Sequence, residues 1–260
     1  MKITILTLFP EFYESYLNTS IIKRAISKNS VEVHICNIRD YSLDKTKRVD
    51  DIPFGGGNGM LLKCQPVLDA LRAVKTENSK VIYLGPTGKT LHQSVARTLS
   101  KEEDLVILCG HYEGIDQRIL DYVDEVISIG DYILTGGEVA SLVLMDSVIR
   151  LLDGAITESS HLDESFENGL LEYPQYTQPR VFEGKEVPPI LFSGNHQAID
   201  KWRRKESLKL TKEKRPDLFE KYSLTKQDKK LLDEIENNKV GKWEERAIEG
   251  AKKFTKNKEA

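Results

Sequence analysis

Apolar residues change their period along the chain. Short apolar-rich segments recur over residues 3–9, 31–35, 81–85, 105–110 and 125–130. Runs of this length bounded by turn residues predict strands buried on both faces. Apolar residues at helical spacing predict helices over residues 11–28, 66–74, 91–100 and 114–122. An almost wholly apolar helix follows over 139–152, with Gly154 placed to cap it. Strands alternating with helices predict an α/β fold: a parallel sheet with helices on both faces. Residues 157–169 are polar and read as a linker or mobile loop. Pro174, Pro179, Pro188 and Pro189 mark irregular structure, and from Gln197 the pattern is helical and charged. The predicted organisation is a first domain over 1–158, a mobile loop over 159–172 and a smaller, mostly helical domain over 173–260, with a frayed tail from Lys252.

Composition narrows the class. No apolar run approaches the roughly 20 residues that span a bilayer, so no membrane is expected. The opening run meets Pro10-Glu11 without a small-residue cleavage site and reads as a strand, not a signal peptide. Cys36, Cys64 and Cys109 are odd in number and form no CxxC pair. That argues against a disulfide framework and against structural zinc, and it fits a reducing cytoplasm. The net charge of −3 hides an asymmetry: residues 181–260 carry +5 and residues 1–180 carry −8. Eight basic residues lie between Lys201 and Arg215, against Glu206 and Glu213. Such a cluster is either a solvated helix face or a polyanion contact. Lys201, Lys205, Lys209 and Lys212 recur at helical spacing and predict one basic stripe against phosphates.

Three successive strands run into glycine-rich loops: Leu84-Gly85-Pro86-Thr87-Gly88, Cys109-Gly110-His111-Tyr112-Glu113-Gly114, and Ile129-Gly130-Asp131-Tyr132-Ile133-Leu134-Thr135-Gly136-Gly137-Glu138. In open parallel sheets ligands sit beyond the carboxyl ends of strands. Glycine lets backbone approach a ligand closely. One such loop is usually a turn; three in succession favour an adenine-type ligand held by main-chain groups. A fourth cluster, Gly55-Gly56-Gly57-Asn58-Gly59, follows no clear strand. The string Gly85-Pro86-Thr87-Gly88-Lys89-Thr90 mimics a phosphate loop, but Tyr83 stands where the first glycine is required. Arg150 is the odd residue at the end of the apolar helix. It reads either as an ion-pair partner of Asp146 or as a cation delivered to an oxyanion. Asp163 and Glu164 follow in the polar loop, where a carboxylate is either solvated or a general base.

Several strings together resemble the bacterial tRNA (guanine-N1-)-methyltransferases that modify guanosine 37, of the knotted SPOUT class. They are Val49-Asp50-Asp51 to Gly55-Gly56-Gly57-Asn58-Gly59-Met60, Cys109-Gly110-His111-Tyr112-Glu113-Gly114-Ile115-Asp116, Ser128-Ile129-Gly130-Asp131-Tyr132 to Gly136-Gly137-Glu138, Ser165-Phe166 to Gly169-Leu170-Leu171, Tyr176-Thr177 and Ser193-Gly194-Asn195-His196. The resemblance runs from Met1 to about Leu224. It implies a deep trefoil knot near residues 84–138, a homodimer with its active site between subunits, and a helical domain that grips tRNA. It implies S-adenosylmethionine bound against Leu84, Pro86, Gly88, Gly110, Tyr112, Glu113, Ile129, Gly130, Asp131, Tyr132, Ile133, Leu134, Gly136 and Gly137. Magnesium assists catalysis in that family, and the sequence holds no ligand cluster that places it. The family's general-base Asp aligns with Glu164, with Asp163 just ahead of it. The family's usual Arg after Cys-Gly is His111 here, its Tyr-Thr-Arg-Pro is Tyr176-Thr177-Gln178-Pro179, and Gln117 stands where a Glu is usual before Arg118.

The implied reaction removes the guanine N1 proton with Glu164 or Asp163, stabilises charge on O6 with Arg150 and moves a methyl group to N1. Two rival readings remain at this point: a methyltransferase of the same fold acting on another RNA position such as a ribose, and an RNA-binding module that has lost catalysis.

Overall fold

A computed structural model describes residues 1–156 and 164–256, with side chains to residue 250. The chain divides into two compact units, Met1–Ser160 and His161–Ala260.

The first unit is built on five parallel strands: β1 (Lys2–Thr7), β2 (Glu32–Asn37), β5 (Ser79–Thr90), β6 (Asp104–Cys109) and β7 (Glu125–Ser128), in the order β2-β1-β6-β5-β7. A separate two-stranded ribbon joins β3 (Asp50–Asp51) to β4 (Leu61–Leu62). The helices are α1 (Glu14–Leu17), α2 (Ser20–Ser27), α3 (Cys64–Val74), α4 (Gln93–Leu99) and α5 (Glu138–Ile149). Alternate side chains of each strand face opposite sides. Ile3, Ile5, Ile82, Leu84, Leu105 and Ile107 pack with Ile22, Ala96, Leu99, Leu144 and Met145 of α2, α4 and α5. Leu6, Val81, Tyr83, Val106 and Leu108 pack with Val67, Leu68 and Leu71 of α3. Both faces are therefore buried, as a parallel sheet requires.

Two predicted helices differ. The segment 11–28 is a 3-10 turn over Pro10–Tyr13 followed by α1 and α2. Asn18 and Thr19 turn their side chains back onto the carbonyls of Glu14 and Ser15, and Ser20 takes φ 48°. Short polar side chains compete in this way with the helical ladder. The segment 114–122 is a 3-10 helix over Gln117–Tyr122, capped by the Asp116 carboxylate accepting from the Arg118 N–H. Helix α5 stops at Ile149, with Arg150 as its cap residue. Gly154 lies in the following turn at φ 80° and does not cap the helix itself.

The second unit carries α6 (His196–Lys214), α7 (Pro216–Phe219), α8 (Lys226–Glu236) and α9 (Lys242–Lys256), preceded by a hairpin of β8 (Val181–Phe182) and β9 (Lys185–Glu186). Its apolar centre joins Leu170, Leu208, Leu231 and Leu232, with Ile190, Ala198, Trp202 and Ala247 beside it. A capping box between Thr225 and Asp228 starts α8. Asp228 is 1% exposed and bonded by the Arg204 guanidinium at 2.8 and 3.1 Å. Burial alone raises its pKa, but the bonds from Arg204 and Thr225 outweigh that and hold it below the usual carboxylate range.

Among the described residues no helix is long and apolar enough to cross a membrane.

Candidate functional site

The carboxyl ends of β5, β6 and β7 meet at Leu84, which pairs with Cys109 on one side and Ile127 on the other. Beyond that point β5 does not end. Its register against β7 jumps from Leu84 to Lys89, both opposite Ile127, so Gly85–Pro86–Thr87–Gly88 bulge out of the sheet. The string that mimics a phosphate loop is therefore an irregularity within a strand. The bulge returns at Gly88, where a Cβ would stand 2.4 Å from the Val126 carbonyl carbon.

A cavity of about 260 Å³ opens over these strand ends. Its lining comes from all three glycine loops and from Ala140 in the first turn of α5. Of the residues the resemblance assigns to the cofactor, Leu84, Pro86, Gly110, Tyr112, Glu113, Ile129, Gly130, Tyr132, Ile133, Leu134, Gly136 and Gly137 line it. Gly88 and Asp131 do not. Gly88 serves the crossing of backbone at β7, and Asp131 is exposed beside the cavity. Tyr83, His111, Ser128 and Thr135 also line it and are absent from the sequence assignment. Tyr83 left no signal in the sequence; in the structure an added Cβ at Gly85 would lie 2.6 Å from its ring, and one at Gly110 2.9 Å from its hydroxyl. Both glycines make room for this tyrosine.

The loops are tied to one another. The Gly137 N–H donates to the Gly110 carbonyl at 2.8 Å, and His111 bridges Gly136 in antiparallel fashion. The fourth glycine cluster forms the turn of the β3–β4 ribbon and reaches the second loop. The Glu113 N–H donates to the Met60 carbonyl at 3.1 Å, and Gly59 packs on the Glu113 side chain.

Beneath the loops lies a buried polar group. The Glu138 carboxylate accepts from the Thr7 hydroxyl at 2.8 Å. The Ser141 hydroxyl meets that of Tyr13 at 2.7 Å, and Tyr13 lies 3.4 Å from the Cys109 sulfur. The His111 ring stacks on Phe9, and its buried Nδ1 stands 3.9 Å from Glu138 with no hydrogen-bond partner among the described residues. Burial pushes the Cys109 thiol up to about 12 and the Tyr13 hydroxyl up as well. Neither gives up a proton near neutrality.

Arg150 belongs to this unit, partly buried at the end of α5. Glu164 belongs to the other unit, and Asp163 lies outside the described residues. Glu164 opens onto a second cavity of about 340 Å³, lined also by Asn168, Tyr173, Arg203, Arg204 and Ser207. The described part of the expected mobile loop, residues 164–172, is a folded turn. The Phe166 N–H donates to the Leu170 carbonyl at 2.9 Å, and the Glu172 N–H donates to the Ser165 hydroxyl at 2.9 Å. Small polar residues build this turn by hydrogen bonds to their own backbone.

The predicted lysine stripe does not form one exposed face. Lys205 is 9% exposed and pairs with Glu244 at 3.0 Å and Glu234 at 3.4 Å. Lys201 lies over the Trp243 ring at 4.4 Å, and Lys212 pairs with Glu236. Lys209 is exposed. Among the described residues no three His, Cys, Asp or Glu side chains gather as a metal site.

The family described as tRNA (Guanine-1)-methyltransferase TrmD matches residues 1–221. Curated relatives named tRNA (guanine-N(1)-)-methyltransferase align over most of both chains. One from Clostridium botulinum (strain Hall) is 56% identical over 234 residues, 89% of this chain and 97% of its own. One from Clostridium novyi is 55% identical over 235 residues, 90% and 97%. One from Clostridium tetani is 54% identical over 233 residues, 89% and 97%.

Proposed function

The chain belongs to the tRNA (guanine-1)-methyltransferase family, and from that membership we propose that it transfers a methyl group from S-adenosylmethionine to N1 of guanosine 37 in tRNA. The observation that carries the reading is the cavity where three interlocked glycine loops converge on the ends of β5, β6 and β7.

The lining suits this cofactor. Leu84, Pro86, Ile129, Leu134 and Ala140 offer apolar surface for an adenine, and the loop backbones offer donors and acceptors for its edge. The amino terminus of α5, reached through Gly136 and Gly137, carries partial positive charge that suits the cofactor's carboxylate. Glu113 offers an acceptor for its amino group. When bound, the cofactor supplies an electrophilic methyl on sulfur. No magnesium ligand set exists among the described residues, and no step here depends on one.

Guanine N1 carries a proton at neutral pH and is a poor nucleophile until it leaves. Glu164 takes that proton, as the family register assigns, and Arg150 stabilises the charge on O6. The N1 lone pair then bonds to the methyl carbon while the carbon–sulfur bond breaks, leaving a neutral thioether. The target base leaves its stack to reach the site.

Residues 1–158 serve as the cofactor domain and residues 173–260 as the tRNA-binding domain. A trefoil knot over residues 84–138 is supported by family membership and by the tight crossings at Gly88 and Gly137. A homodimer is supported by Val139 and Val143, adjacent exposed positions on α5, and by exposed Phe12 on the segment packed against that helix. Lys201, Lys209 and Lys212 remain candidates for phosphate contacts; Lys205 is internal to its unit.

Single-turnover methyl transfer on unmodified tRNA tests the reading. Transfer is expected to position 37 when it is G and not when it is A. Glu164→Gln is expected to lose most activity and keep cofactor affinity, while Asp163→Asn loses little. If Asp163→Asn is the crippled variant, the base is its neighbour. If neither change matters, the proton leaves by another route.

A further inference from the structure

We propose that Thr211 and Ser207 of α6 are positioning residues that hold the Glu164 carboxylate in register, an inference that rests on Glu164 being the general base. The turn carrying Glu164 is hydrogen-bonded to α6 at Leu171. Its N–H donates to the Thr211 hydroxyl at 2.9 Å, and its carbonyl accepts from the Ser207 hydroxyl. Thr211 is fully buried and donates its own proton to the Ser207 carbonyl at 2.7 Å. One hydroxyl thus accepts from the Leu171 amide while its own proton is held by the helix backbone.

From Leu171 the constraint runs back to Glu164 through short bonds. The neighbouring Glu172 N–H is held by the Ser165 hydroxyl at 2.9 Å, and Leu170 accepts from Phe166 at 2.9 Å. The Glu167 N–H closes onto the Glu164 carbonyl at 3.3 Å. Leu170 is buried with Leu208 and Leu231, so the stem of the turn shares the unit's apolar centre. Phe166 at φ 76° fixes the chain direction next to the base.

A Glu in place of Asp adds one methylene and one rotatable bond. A floppy mount would add its own freedom to that of the longer side chain. Displacement of a base by about 1 Å costs on the order of a hundredfold in rate. A mount fixed at both the N–H and the carbonyl of Leu171 removes the backbone part of that freedom.

The test uses the full chain, S-adenosylmethionine and unmodified tRNA. Thr211→Val keeps the shape and deletes the hydroxyl; Ser207→Ala is the second variant should Thr211→Val melt before assay temperature. The expected result is a single-turnover rate lowered about tenfold or more, tRNA KM and cofactor affinity within about twofold, and restoration by Thr211→Ser. Glu164→Gln is measured alongside. A fully active Thr211→Val beside an inactive Glu164→Gln overturns this inference alone. A fully active Glu164→Gln overturns the base assignment and this inference with it. Equal losses in rate and in tRNA affinity show a structural role and also overturn it.

Discussion

Replacing Gly137 by alanine perturbs the crossing of two glycine loops at one atom. The new Cβ would stand 2.7 Å from the Cys109 Cα, 2.9 Å from the Gly110 nitrogen and 3.0 Å from the Cys109 Cβ. The neighbours are backbone and a fully buried residue at the end of the central strand β6, so they have nowhere to retreat. Overpacking of this kind costs about 1–3 kcal/mol. Relief by moving the loop away breaks the 2.8 Å bond from Gly137 to the Gly110 carbonyl, worth about 0.5–1.5 kcal/mol. The total of about 2–4 kcal/mol appears either as lost stability or as lost affinity. As stability, at about 2–4 °C per kcal/mol for a unit of this size, Tm falls by about 5–15 °C. If the loop yields instead, cofactor affinity falls roughly 30- to 1,000-fold. Calorimetric unfolding and titration with S-adenosylmethionine read both. An alanine variant with unchanged Tm and unchanged affinity would refute the reasoning. The cause differs from that expected of a glycine approaching a ligand: the side chain collides with the protein's own backbone. Gly88→Ala, which clashes with the β7 backbone away from the cavity, is expected to lose Tm by the same mechanism.

The remaining predictions concern the second unit. Asp228→Asn removes the anion from a pair in which Arg204 is about 30% exposed, so the cost expected is about 2–3 kcal/mol, below that of a fully buried pair; urea unfolding of the variant measures it. Because the folded pKa of Asp228 is depressed, its contribution is present above the unfolded value of about 3.9 and is lost as pH falls through the lower folded value, so the wild type loses stability below about pH 4 with a slope the Asn variant lacks. Lys209→Ala should flatten the log–log salt dependence of tRNA binding by about 0.9 if it meets a phosphate. Lys205→Ala should lower Tm instead, since it removes the cation that Glu234 and Glu244 share.

The inner strands β1, β5 and β6 were legible because a parallel sheet covered on both faces demands apolar-rich runs, while the edge strand β2 showed instead an alternation of Val33 and Ile35 with Glu32 and His34. The glycine loops were legible because they follow those runs directly. What they do was less so. Gly85 and Gly110 clear space for Tyr83, and Gly88 lets backbone cross at β7; a glycine's sequence position does not say which neighbour it accommodates. That the four lysines do not share one exposed face has a related reason. Helical spacing fixes which side chains share a face, but not that Trp243 and Glu244 of α9 cover the middle of it. The turn at 164–172 was read as mobile because Ser, Glu, Asn and Gly compose solvated loops and hydrogen-bonded turns alike. The hydroxyls of Thr211 and Ser207, some forty residues away in sequence, bond the stem of the turn at Leu171, and its composition does not announce them.

The buried polar group under the glycine-loop cavity bears on the selectivity of the proposed methyl transfer. A methyl sulfonium alkylates any competent nucleophile in reach, and a thiolate is a better one than a guanine nitrogen. Cys109 immediately precedes Gly110 of the cleft lining, so its protonation state matters. With burial pushing its pKa up to about 12, the thiol stays protonated near neutral pH. Burial is the main cause, and the nearby Glu138 carboxylate adds to it, against opposing hydrogen bonds from Tyr13 and Ser141. Glu138 itself is bonded to Thr7, and its backbone carbonyl accepts from Ser141. Cys109 therefore supplies no thiolate, and Tyr13, also raised by burial, no phenolate near neutral pH. The proposed transfer, with its base at Glu164, thus meets no competing thiolate at Cys109.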